Sequence, residues 1–155
     1  MSPSLEMKKI LAIDPGVSGG WAYKNGDSIK LRAFTTEIEF IDFLSSSDVD
    51  KAIIEDVPAF VSAATSNASS FKLGYNYGFE VGAIRSQQIS LDLVKPRIWQ
   101  AGIKGLKPKM GYTQRKRLLT DAAKRIFPKE KVTQKTADAA LILSWYCKNS
   151  LGIEP

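Results

Sequence analysis

Two short apolar runs, each ending in an acidic residue, constrain the fold of this chain more than any other feature. Residues 9–13 read KILAI and are followed by Asp14, whereas residues 51–54 read KAII and are followed by Glu55. Apolar runs of this length and β-branched character predict buried strands of a sheet. Because ligands and catalytic groups of α/β proteins collect at strand ends, the two acids are candidate functional residues.

The remaining segments predict a mixed α/β fold. Asn25-Gly26 is a strong hairpin signal, and the residues on either side of it are predicted as paired strands. The predicted segments are strands at 21–23, 28–34 and 88–94, helices at 37–44, 68–87, 113–127 and 133–149, a helical turn from Pro96 and a basic loop at 102–111. We therefore expect one domain over residues 1–155, with a central sheet of about five strands flanked by helices. Residues 1–6 are interpreted as a disordered leader.

The absence of histidine excludes several kinds of chemistry. With no His in 155 residues, a Ser-His-Asp triad, a His-ligated zinc and an imidazole base are all ruled out. The single cysteine, Cys147, excludes an internal disulfide and indicates a reducing compartment or indifference to redox state. No run reaches the ~18 apolar residues of a membrane span, so no membrane partner is expected. The expected location is the cytoplasm of a bacterial or phage-infected cell. Carboxylates, lysines, hydroxyls and the backbone remain as reactive groups.

Positive charge is concentrated in one part of the chain. Residues 95–131 contain 12 Lys and Arg against two acids, a net charge of +10, and the other residues contain 10 basic and 14 acidic side chains, a net charge of −4. Such asymmetry favours a polyanionic partner that approaches one side of the protein. A solvated surface that serves only solubility is the alternative interpretation.

A third acid, Asp138, is predicted on a helix face that it shares with Leu141, Ile142 and Trp145. A carboxylate on an apolar stripe is costly unless it is paired or binds a metal, although an acid in a first helical turn is also favoured by the helix dipole. Taken singly, Asp14 and Glu55 also have plain structural explanations. Together, the three acids favour a shared site for Mg²⁺, with Mn²⁺ as a substitute. A pair of such ions can activate water against a phosphodiester.

Four segments carry a resemblance to a known family. They are IDPGVSGGWA at 13–22, AIIE at 52–55, VKPRIWQ at 94–100 followed by AAKRIFP at 122–128, and ADAALI at 137–142. In this order and spacing they resemble the RuvC-type Holliday junction resolvases, in particular the compact phage and bacterial branch of this RNase H-like superfamily. The resemblance extends over about residues 8–147.

The resemblance implies an RNase H-like fold, a homodimer and Mg²⁺-dependent paired incisions across a four-way DNA junction. It carries over Asp14, Glu55 and Asp138 as metal ligands and catalytic residues. The chain departs from the family at Lys135, where a fourth acid or a His is usual one helical turn before the last Asp. Lys135 could weaken metal binding, contact the scissile phosphate as a catalytic residue, or mark a junction-binding protein with little cleavage.

Other residues are candidates for contact with DNA. The family places an aromatic residue that stacks on unpaired bases near Phe60, although this side chain could equally anchor its loop to the core. The basic candidates for backbone contacts are Lys104, Lys107, Lys109, Arg115, Lys116 and Arg117. Gly74, Gly78 and Gly82 recur at spacing four in the predicted helix at 68–87, which indicates close approach of another helix or the sheet. Core packing within one chain and a dimer seam both explain this stripe.

The sequence therefore predicts a Mg²⁺-dependent endonuclease that resolves four-way DNA junctions by paired symmetric incisions. One alternative is a nuclease of the same fold that acts on other branched DNA or on RNA. The second alternative, motivated by Lys135, is a catalytically weak protein that binds DNA junctions.

Overall fold

The computed structural model describes residues 8–58 and 64–155. The predicted leader at 1–6 and the stacking candidate Phe60 both lie outside these residues. The elements, in chain order, are β1 (Lys9–Asp14), β2 (Gly20–Asn25), β3 (Ser28–Ala33), α1 (Glu37–Ser47), β4 (Lys51–Glu55), α2 (Asn67–Ser86), β5 (Ser90–Val94), α3 (Pro96–Gln100), α4 (Tyr112–Ile126) and α5 (Ala137–Tyr146), and a π-helical segment, Cys147–Leu151, follows α5.

The strands form one mixed sheet in the order β3-β2-β1-β4-β5. β1 pairs antiparallel with β2 and parallel with β4, so the two apolar runs lie side by side at the centre. The hairpin between β2 and β3 turns through Gly26, whose φ of 60° favours glycine, and Asn25 pairs with Ser28. The predicted α/β fold with a mixed five-stranded sheet flanked by helices is confirmed.

Side chains of the central strands alternate between two apolar clusters. Ile10, Ala12 and Ile53 pack into the cluster that contains the inner faces of α4 and α5. Leu11, Ile13 and Ile54 pack on the opposite face, together with residues of α1 and α2. Because side chains of a strand alternate with period two, Asp14 follows Ala12 and Glu55 follows Ile53 onto the α5 side of the sheet.

The last helix differs most from its prediction. The spacing predicts a helix over 133–149, but α5 begins at Ala137. Before it, the Thr133 N–H donates to Thr136 Oγ1 over 3.0 Å, and this local turn takes the place of the first helical turn. Trp145, predicted as core, is only partly buried at the rim of its cluster. Within the described part of the chain, no helix combines the length and the apolar character needed to cross a bilayer.

Candidate active site

The three predicted acids meet at the carboxyl edge of the sheet. Asp14 ends β1, Glu55 ends the neighbouring strand β4, and Asp138 lies in the first turn of α5. All three line one open cleft of about 690 Å³. The structure thus brings together side chains that are separated by up to 124 positions in the sequence, numbered 14 and 138.

Two glycines let the elements of the site approach closely. A Cβ atom at Gly19 would clash with the carbonyl oxygen of Asp14. A Cβ atom at Gly20 would lie 2.7 Å from the carbonyl oxygen of Lys135. The loop before α5 can therefore rest directly on the start of β2, which places Asp138 beside the end of β1.

The turn after β1 is held from the other face of the sheet. The backbone N–H of Gly16 donates a hydrogen bond of 2.8 Å to the side-chain oxygen of Asn76, a buried residue in the middle of α2. Gly16 itself has a φ of 113°, a conformation that favours glycine. Asn76 is a positioning residue for the Asp14 turn, and sequence reasoning missed it because a lone Asn within a helix gives no functional signal.

Burial and mutual repulsion disfavour the charged forms of the acids. Burial, followed by the charges of Asp138 and Glu55, raises the pKa of Asp14 well above its usual range. Burial also raises the pKa of Glu55 to about 7, and a hydrogen bond from Trp99 opposes that change. In such a cluster the ionised carboxylates repel one another, and a bound cation would offset this repulsion.

A lysine partly neutralises the cluster. Lys116 Nζ lies 3.3 Å from Asp138 Oδ2, and its side chain is 18% exposed. Burial raises the pKa of Asp138, and the nearby Lys116 charge opposes that rise. The other oxygen, Asp138 Oδ1, is buried and has no hydrogen-bond partner among the described residues. The sequence predicts Lys116 as a contact to DNA, whereas the structure pairs it with a site carboxylate.

Trp99 positions the second carboxylate. Its indole Nε1 donates a 2.8 Å hydrogen bond to Glu55 Oε2, and its ring is buried in the same core cluster as residues of β1, β4 and α5. Trp99 is 2% exposed, so its ring is also part of the hydrophobic core. The added polar contact could not be read from the sequence, because the two residues are 44 positions apart.

A further acid, Glu80, is fully buried and was missed by sequence reasoning. It lies on α2 one helical turn after Asn76 and is 1% exposed. Its Oε2 atom has no hydrogen-bond partner within residues 8–58 and 64–155. Burial, with a smaller contribution from the charge of Asp14, raises the pKa of Glu80 to about 9. Glu80 does not line the cleft.

The predicted basic residues separate into two groups. Arg115, Lys116 and Lys135 line the cleft, and the Arg115 guanidinium is held by Gln100 Oε1. Lys135 lines the cleft with the acids, but it lies in the turn before α5 and not on the helix itself. Arg117 faces a different depression on α4, and Lys104, Lys107 and Lys109 are exposed on the loop before α4. The DNA contacts predicted for all of these residues stay predictions.

The side chains present fit a hard divalent cation. Three partly buried carboxylates share the cleft, the charges of Asp138 and Glu55 act against ionisation of Asp14, and Asp138 Oδ1 has an unused lone pair. Carboxylate oxygens are the preferred ligands of Mg²⁺ and Mn²⁺. In the described parts of the chain no three acids or cysteines stand close enough to form a preassembled metal cage. The carboxylates would have to close around an ion.

Comparison with known proteins shows the fold of the chain. No family model matches it, and no curated protein sequence matches it. Thermus thermophilus RuvC in complex with a Holliday junction substrate is similar, with a TM-score of 0.64, 14% identity and coverage of 92% of this chain and 96% of that one. The yeast mitochondrial Holliday junction resolvase has a TM-score of 0.52, 11% identity and coverage of 94% and 80%, respectively. The fowlpox virus Holliday junction resolvase has a TM-score of 0.51, 16% identity and coverage of 90% and 98%. The chain therefore has the RNase H-like fold of the RuvC-type Holliday junction resolvases.

Proposed function

We propose that this protein is a metal-dependent endonuclease that cleaves four-way DNA junctions by paired symmetric incisions. The observation that carries the proposal is the cleft in which Asp14, Glu55 and Asp138 lie together with cationic side chains. The similar Thermus protein is a RuvC in complex with a Holliday junction substrate. An acidic centre beside cations suits phosphodiester cleavage, because the cations hold phosphates while the acids hold metal.

In this proposal, Asp14, Glu55 and Asp138 hold Mg²⁺ or Mn²⁺. The metal, when bound, supplies activation of water and stabilisation of the phosphate charge. Trp99 keeps the Glu55 carboxylate turned toward the cleft through its 2.8 Å hydrogen bond. Lys116 neutralises Asp138 in the absence of metal, and it is near enough to bind a substrate phosphate once a cation takes over that role. Arg115 and Lys135, which line the same cleft, add donors for neighbouring phosphates.

The direct test is incubation with an immobile four-way DNA junction and Mg²⁺, beside linear duplex and Y-fork controls. The expected result on a denaturing gel is paired nicks at symmetric positions near the crossover, with the duplex left intact. Preferential cutting of the Y-fork, or of a branched RNA, would replace the junction with another branched substrate.

A junction-binding protein with little cleavage is the second candidate function. Lys135 favours it, because a cation stands in the cleft at the position where the resembled family has a further acid. Binding of the junction without nicks, in Mg²⁺ and in Mn²⁺ alike, would select this function over the nuclease.

The exposed loop before α4 is proposed to grip the DNA backbone. We expect the double variant Lys107→Glu/Lys109→Glu to bind junction and duplex more weakly by the same factor, because phosphate contacts carry no structure or sequence information. The slope of log affinity against log salt should fall by about 0.9 for each lost contact to a duplex arm. Fluorescence anisotropy across a salt series measures both quantities.

Lys8→Glu/Lys148→Glu is the matched control for these measurements. It changes the net charge equally at two exposed residues outside 95–131. Equal weakening by the control variant would show that net charge, rather than the loop, determines the affinity. Unchanged affinity of the loop variant at low salt would remove the loop from the DNA-binding surface.

A homodimer is proposed through the exposed face of α2. Gly74, Gly78 and Gly82 face open space, since a Cβ atom at each would meet nothing within 4 Å. Core packing within one chain therefore does not account for the stripe. Gly78 and Gly82 line a groove of about 390 Å³ with Ile41 of α1, whose side chain is exposed. Two symmetric incisions need two sites related by a twofold axis, and a second copy on this face would supply the other site.

We expect Gly78→Leu to disrupt the dimer and to leave the folded chain intact. The added side chain has room within one chain, and leucine is a better helix former than glycine by about 1 kcal/mol. Sedimentation should give the wild-type chain twice its 17.1 kDa mass and the variant a single chain mass at the same concentration. Gln114→Leu, which adds leucine at an exposed position of α4, should remain dimeric. A Gly78→Leu protein that dimerises normally would place the interface elsewhere.

A further inference from the structure

Tyr112 is a large, exposed aromatic side chain on the wall of the cleft. It is the first residue of α4, it lines the cleft with the three acids, and it is 80% exposed. Within residues 8–58 and 64–155 its ring takes part in no aromatic contact and its hydroxyl in no hydrogen bond. Covering a solvent-exposed aromatic ring with a flat ligand is favourable, because it removes apolar surface from water.

The surroundings of Tyr112 indicate which ligand this is. Arg115 and Lys116 follow it at spacings of three and four on α4, so all three side chains lie on one helix face and all line the cleft. The two cations suit phosphate oxygens, and the ring suits the face of a base. A nucleotide whose base is unpaired presents both a phosphate and an open base face, whereas a paired base hides its face within the stack.

The other exposed aromatic side chains in residues 8–58 and 64–155 lie away from the cleft. Phe71 and Tyr75 are also exposed, but they lie on α2 and do not line the cleft. Trp99 reaches the site only from within the core, through its bond to Glu55. Of the aromatic residues that the structure describes, Tyr112 alone combines exposure with a position on the cleft wall.

We propose that Tyr112 stacks on an unpaired base of the branched nucleic acid held in the cleft, and that this contact separates branched from fully paired substrates. The inference rests on the proposed function, which it extends by naming a residue that recognises the branch. The phenolic hydroxyl has no part in it. Any planar aromatic side chain at position 112 should therefore serve.

The test uses a four-way junction that carries the fluorescent base 2-aminopurine next to the crossover, with Ca²⁺ in place of Mg²⁺ to prevent cleavage. Wild-type protein should change the 2-aminopurine signal on binding, and Tyr112→Phe and Tyr112→Trp should do the same. Tyr112→Ala should lose the change in signal and about tenfold or more in junction affinity, with unchanged affinity for linear duplex. Thr113→Ala, at an exposed position that faces away from the cleft, is the matched control and should behave like wild type.

The possible failures separate the two proposals. Wild-type protein that binds no junction and no other branched nucleic acid would overturn the proposed function, and the stacking role with it. Wild-type protein that binds the junction, with Tyr112→Ala matching it in affinity and signal, would overturn only the stacking role. Loss by Tyr112→Phe equal to that of Tyr112→Ala would show a contact through the hydroxyl group and would also overturn stacking.

Discussion

Asp14→Asn will abolish cleavage of the junction, preserve its binding and raise the melting temperature of the metal-free protein. The cleavage rate should fall by about 10³-fold or more, because metal catalysis contributes several kcal/mol and ~1.4 kcal/mol corresponds to a factor of ten. The melting temperature should rise because burial and the charges of Asp138 and Glu55 raise the pKa of Asp14, so its ionised form is unfavourable in the folded state. The neutral amide removes that repulsion and keeps the size of the side chain.

Three measurements check this result: cleavage at saturating protein in Mg²⁺, junction binding in Ca²⁺, and thermal unfolding without metal. Asp121→Asn provides the control, since Asp121 is an exposed acid of α4 outside the cleft. It should cleave at the wild-type rate. Full cleavage by Asp14→Asn would eliminate the metal site proposed here, and an unchanged melting temperature would show that the acids do not repel one another in the folded protein.

Glu80→Gln will stabilise the protein, and the stabilisation will grow with pH. The pKa of Glu80 is about 9 in the folded protein and near 4.5 when exposed, because burial disfavours its charge. Between these values the folded state holds a proton that the unfolded state releases, so wild-type stability falls as pH rises through this window, at up to about 1.4 kcal/mol per pH unit. The amide carries no charge in either state. The gain should be on the order of 2–4 kcal/mol at pH 8 and should vanish below pH 4.5.

Denaturant unfolding at pH 5, 7 and 8.5 would measure the difference. Glu154→Gln, a change of the same kind at an exposed acid, should leave stability unaltered across the series. A Glu80→Gln protein less stable than wild type at pH 8 would mean that Glu80 is ionised and bound to a donor or a cation.

The strands that carry Asp14 and Glu55, and the sheet face on which both acids lie, could be predicted from local sequence patterns. The apolar runs before Asp14 and Glu55 determine two buried strands, and period-two alternation determines the face on which both acids lie. Parallel neighbours end at the same sheet edge, so the first two acids had to meet. Asp138 was predictable from its place on an apolar helix face, although the start of α5 was not, because the Thr133–Thr136 contact competes with helix formation there.

Only the tertiary structure decided what surrounds the acids. Lys116 is one of 12 basic residues between 95 and 131. It forms an ion pair with Asp138 only because α4 packs against α5. In the sequence, Glu80 is indistinguishable from an ordinary polar residue of a long helix. Only the packing of α2 shows that its side chain is buried. The sequence could not tell whether the glycine stripe on α2 packs in the core or forms a dimer interface. In the folded chain a Cβ atom at these positions would meet nothing within 4 Å, so core packing is ruled out. Sequence periodicity specifies which side chains share a face, because that depends on backbone geometry within one element. Which face meets which neighbour depends on contacts between residues far apart in the sequence, such as the ion pair of Asp138 with Lys116 and the hydrogen bond of Gly16 with Asn76, and only the folded chain makes them.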